Sequence, residues 1–99
     1  MGARLLKQTP AVLRRVLGPK VGGAGNLDAA TSALPLHWSA AFSSVSALAG
    51  FSGHADYCAA NAAADALAAR AAERGSPALA VQWGAWSAVG APLPCPGWF

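Results

Sequence analysis

Apolar positions recur at helical spacing early in the chain. Val12, Leu13, Val16 and Leu17 fall on one face, with Arg14 and Arg15 opposite. Thr9 followed by Pro10 supplies a capping hydroxyl and a residue suited to the first helical position, so a helix is predicted to open at Pro10. Gly18–Pro19 is expected to break it. Val21, Ala24, Leu27 and Ala30 then predict a second helix from about Lys20 to Ala33, ended by Leu34–Pro35. Beyond this the period changes. Trp38 to Ser43 reads as a short buried strand, and residues 44–54 read as a loop of small residues with two glycines. Asp56 to Arg74 is dense in alanine and is closed by Gly75, the signature of a long helix. Ala78 to Trp83, with Leu79 and Val81 alternating, reads as a second strand, and after Gly84 the chain is Pro-rich and unpatterned.

The predicted order is helix, helix, strand, helix, strand. A strand–helix–strand unit is a parallel crossover, which makes the fold class α/β. Two strands do not make a stable doubly wound sheet, so the pattern reads as the second half of one. Gly22, Gly23 and Gly25 weaken the second helix, but they permit close packing against a neighbour.

Composition thins this picture. The 99 residues are 55% hydrophobic, but 26 of them are Ala, which buries little area. Charged residues are 11%, against about 25% in ordinary domains. Either much of this surface is covered by further chain or a partner, or the coding source favours Ala, Gly, Pro and Arg. The net charge of +3 comes with neither a long basic run nor aromatic interleaving, which argues against nucleic-acid binding. Cys58 and Cys95 lack metal spacing, are too few to staple a secreted fold, and fit a reducing compartment. Residues 29–55 carry no Lys, Arg, Asp or Glu, yet Pro35, His37, Gly50, Gly53 and seven Ser/Thr hydroxyls argue against a membrane span. The basic, acid-free first 26 residues loosely resemble a transit peptide; a surface helix leading into Lys20 is the favoured reading.

Candidate chemistry gathers around Tyr57. Asn61 lies one helical turn later on the same face, and the pair Ser43–Ser44 stands at a strand end. A phenol holds its proton at neutral pH and becomes an acid–base group when a cation favours its phenolate. Lys20, the only lysine after Lys7, is the candidate cation, and Asn61 is suited to relay between the two. By spacing alone, each of these residues has a plainer reading as packing, a surface amide, a solvated lysine or a turn serine.

The flanking strings add weight. "GPKVGGAGNLDAAT" (18–31), "AFSSVSALAGFSGHADYCAANAAADALAARAAERG" (41–75) and "ALAVQWGAWSAVG" (78–90) resemble the ketoreductase domain of modular polyketide synthases and its counterpart in animal-type fatty acid synthases, members of the short-chain dehydrogenase/reductase superfamily. The resemblance implies the C-terminal half of a Rossmann-like doubly wound parallel sheet over residues 1–90, followed by an unpatterned tail at 91–99. It implies Lys20, Ser44, Tyr57 and Asn61 as the catalytic set, with Lys and Asn in exchanged places relative to the usual Tyr-x-x-x-Lys. It implies Trp83 and Gly84 beside the nicotinamide of NADPH, and an acyl carrier protein bearing a β-ketoacyl chain, with the other synthase domains, as partners in a cytoplasmic assembly. The sequence departs from the family pattern, and two departures bear on the site. No G-x-G-x-x-G is present to hold the cofactor's pyrophosphate. The string before the tyrosine reads "GHADY" where the family more often has "GQANY", leaving His54 as either a substrate-groove residue or an exposed loop histidine, and Asp56 as a helix-start acid. These departures leave open a non-catalytic remnant or interaction module, and the 99 residues alone are not expected to hold NADPH or to turn over.

Overall fold

The computed structural model describes residues 5–86; the tail, with Cys95, lies outside the described residues. Thr9 is extended and its Oγ1 accepts the Val12 N–H at 3.2 Å, which starts helix α1 (Pro10–Leu17) as its capping chemistry requires. The expected break at Gly18–Pro19 does not occur. Pro19 has no N–H to continue the helical ladder, and the chain widens into a π-helical turn over Gly18–Gly22. The Gly23 N–H closes that turn on Gly18 O, five residues back, and is shared with Lys20 O. Helix α2 (Gly23–Thr31) follows directly, so Lys20 sits inside the widened turn rather than at the start of a separate helix. The close packing expected at Gly22, Gly23 and Gly25 is also absent: a Cβ built at any of them meets nothing within 4 Å among the described residues.

Strand β1 (Ser39–Ser44) and strand β2 (Ala78–Trp83) pair in parallel, in register from Ser39 opposite Ala78 to Ser44 opposite Trp83. This is the crossover the sequence predicts, with β1 shifted one residue later and Trp38 left outside it. The segment read as a loop contains a one-turn helix, α3 (Ser46–Ala49), which stops where Gly50 takes a positive φ of 73°. Helix α4 (Ala55–Glu73) links the strands. It ends as predicted: Gly75 has φ 84°, its N–H bonds to Ala72 O, and the Ser76 N–H bonds to Ala71 O, which together satisfy two of the last free carbonyls.

The sheet's two faces differ. Ser43 and Gln82 point toward α4: the Ser43 hydroxyl donates to Asn61 O at 3.3 Å and the Gln82 amide to Asp65 Oδ2 at 2.8 Å. Among the described residues the buried apolar side chains are Ala60, Ala64 and Ala71, all on α4. Their methyl groups let the helix lie close, but they bury little area, as the composition implies. On the opposite face Phe42, Leu79 and Trp83 are exposed, Phe42 at 66%. No helix among the described residues is long and apolar enough to cross a membrane.

Candidate active site

The C-terminal ends of parallel strands are where α/β sheets present ligand sites. Here that end is built by the last residues of β1 and β2, the first turns of α4, and the π turn. The wider turn carries Lys20 across β1, where its Nζ donates to Phe42 O and to Asn61 Oδ1, each at 2.7 Å. Asn61 is fully buried, and its Nδ2 donates to Tyr57 O at 2.9 Å. Both ends of that amide are therefore engaged, with its oxygen on an ammonium and its nitrogen on a carbonyl. The two contacts hold the Lys20 charge beside the first turns of α4. The ion pair between Arg74 and Asp28 lies elsewhere, at the far end of α4.

Tyr57 stands one turn before Asn61 with 38% of its surface exposed, and its hydroxyl makes no hydrogen bond among the described residues. Asp56 supports the helix start by accepting the Tyr57 N–H at 2.9 Å. Ser44 closes β1 and is buried; its Oγ accepts from the Ser46 N–H at 3.2 Å and from the Ser46 hydroxyl at 2.9 Å. The structure thus brings Lys20 and Asn61 into direct contact. It does not bring Lys20 or Ser44 within hydrogen-bonding distance of the Tyr57 hydroxyl.

His54 precedes α4 and turns back on its own loop, with Nδ1 3.0 Å from Ser52 O and its ring 4.7 Å from that of Phe51. Trp83 packs between Phe42 and Trp86, each ring 5.4 Å away, and Gly84 follows it in an exposed position. Together these rings form a flat, exposed aromatic surface at the end of the sheet. Among the described residues there is no group of three His, Cys, Asp or Glu side chains able to hold a metal, and Cys58 is a free thiol. Sequence reasoning missed Ser46 and the Gln82–Asp65 bond. The first is hidden in a stretch that reads as loop. The second joins residues on different elements that carry no spacing signal.

A parallel strand–helix–strand unit with these polar groups at its carboxyl end defines a Rossmann-like α/β protein. Comparison with known proteins narrows the class. Residues 2–88 match the KR domain family. The phthioceranic/hydroxyphthioceranic acid synthase of Mycobacterium tuberculosis is 47% identical over 88 residues, covering 89% of this chain and 4% of that protein. The polyketide synthase GfsE of Streptomyces halstedii is 44% identical over 79 residues, covering 80% of this chain and 2% of that protein. Among solved structures, the first ketoreductase of the tylosin polyketide synthase superposes with a TM-score of 0.86 at 39% identity, covering 93% of this chain and 20% of that one. An A1-type ketoreductase gives 0.87 at 37% identity, covering 91% and 19%. The chain belongs to the KR domain family, the ketoreductase domains of polyketide synthases, and it spans about a fifth of those solved ketoreductases.

Proposed function

We propose that this chain supplies the acid–base half of a ketoreductase that reduces a β-ketoacyl thioester, carried on an acyl carrier protein, to the β-hydroxyacyl thioester with NADPH during polyketide synthesis. The observation that supports this best is the Lys20 ammonium seated on the buried Asn61 amide, one turn from Tyr57. Bound NADPH supplies the hydride. Tyr57 gives its proton to the substrate's keto oxygen as negative charge develops there. Asn61 and Phe42 O hold the Lys20 ammonium beside the first turns of α4, one helical turn from Tyr57. Ser44 donates a hydrogen bond to the same keto oxygen. Trp83 and Gly84 border the nicotinamide, and His54 flanks the acyl groove. Other domains of the synthase are partners, and the exposed aromatic face of the sheet favours a chain that works against further protein rather than alone.

The test is Tyr57→Phe in the assembled ketoreductase. The expected result is a fall in kcat for ketone reduction of about 10²–10⁴ with NADPH affinity retained. A Tyr57→Phe enzyme that reduces the ketone at the wild-type rate sinks the proposal.

A further inference from the structure

We infer that Ser46 is a positioning residue that fixes Ser44 as a hydrogen-bond donor toward the substrate's keto oxygen. The inference rests on the role proposed for Ser44. A serine hydroxyl has one hydrogen to give and two lone pairs to accept with. One lone pair of Ser44 Oγ accepts the Ser46 N–H at 3.2 Å, and the Ser46 Oγ lies 2.9 Å from the same oxygen; with Ser44 donating to the keto oxygen, the Ser46 hydroxyl is left to donate to Ser44, which engages the second lone pair. The capacity left to Ser44 is its own O–H. Ser46 Oγ has no other hydrogen-bond partner among the described residues, and both side chains are buried, Ser44 at 8% and Ser46 at 6% exposure. Bulk water therefore does not scramble the arrangement.

The backbone holds this pair from both sides. The Val45 N–H bonds to Trp83 O at 3.1 Å, extending the sheet ladder one residue past Ser44. Immediately afterwards Leu48 and Ala49 donate to Val45 O and Gly50 to Ser46 O, so Ser46 sits in a closed helical turn. A freely rotating serine spends part of its time accepting rather than donating. Here rotation of Ser44 is opposed by two incoming donors. The chain from Ser46 O–H through Ser44 O–H to the keto oxygen also runs in one sense, and each bond polarises the next.

The test is a double-mutant cycle on ketone reduction by the assembled ketoreductase, with Ser44→Ala, Ser46→Ala and the pair, plus Ser46→Thr to restore a hydroxyl. Ser46→Ala is expected to lower kcat about fivefold, the effect of one neutral hydrogen bond, with KM nearly unchanged. Ser46→Thr is expected to recover most of that loss, and the double variant to be no slower than Ser44→Ala alone. A second readout uses the 99-residue chain: by NMR the Ser46 hydroxyl proton is expected to be protected from exchange with water and to lose protection in Ser44→Ala. A Ser46→Ala penalty of the same size with or without Ser44 overturns the inference while leaving the role of Ser44 intact, as does a freely exchanging Ser46 hydroxyl in the wild-type chain. A fully active Ser44→Ala enzyme overturns both.

Discussion

Asn61→Ala is the perturbation that most directly measures the site's architecture, because it can be read in stability without any substrate. Asn61 has no exposed surface and makes two side-chain hydrogen bonds, from Lys20 Nζ at 2.7 Å and to Tyr57 O at 2.9 Å. A bond to a charged group contributes about 1.5–3 kcal/mol and a neutral one about 1 kcal/mol. Lys20 keeps its bond to Phe42 O and is not orphaned, which argues for the lower end of the first range. The void left by the amide costs about 1 kcal/mol more. The expected loss is therefore about 3.5 kcal/mol. At about 4–8 °C per kcal/mol, the thermal midpoint should fall by roughly 14–28 °C, measured by far-UV circular dichroism and checked by urea denaturation. Pairing Asn61→Ala with Lys20→Met in a double-mutant cycle isolates the bond between them, with an expected coupling of about 1–2 kcal/mol. A midpoint within about 3 °C of wild type, or singles that add to within about 0.3 kcal/mol, would refute the reasoning.

Two further outcomes test the frame around the site. Gly75→Ala places a Cβ on a residue with φ 84°, so it should cost about 1–2 kcal/mol and lower the urea midpoint, although the added methyl meets nothing within 4 Å among the described residues. Arg74→Ala breaks the 2.8 Å contact with Asp28, but both side chains are more than half exposed, at 55% and 52%. The change in stability should stay below about 1 kcal/mol and shrink further in high salt; a larger, salt-insensitive loss would show that the contact matters in a way screening does not reach.

The elements legible in the sequence are those governed by local chemistry. The Thr9 cap, the alternation of Leu79 and Val81, and the glycine closing α4 act over a few residues, and each lies where those residues predict it. The break expected at Gly18–Pro19 fails because a proline inside a helix ordinarily ends it, and here the helix widens instead. Widening by one residue is the rarer solution, and nothing local announces it. The three glycines suggest a close neighbour that the described residues do not provide. The contact of Lys20 with Asn61 spans 41 residues, so spacing cannot reveal it; only the family strings link the two. Ser46 is legible as a hydroxyl but not as a partner of Ser44, since that depends on the chain turning into α3 directly after the strand.

The π turn has a consequence for how this site tolerates change. Successive residues of a helix are rotated by about 100°, so the direction in which Lys20 points is set by how many residues precede it in the turn as well as by what they are. Loss of Gly18 or Pro19 would return the backbone to α-helical phase and turn Lys20 by about 100° relative to α1, away from Asn61, with every side chain of the catalytic set still present. The aim of the lysine is in this sense a property of chain length, and a one-residue deletion there is expected to break the Lys20–Asn61 contact.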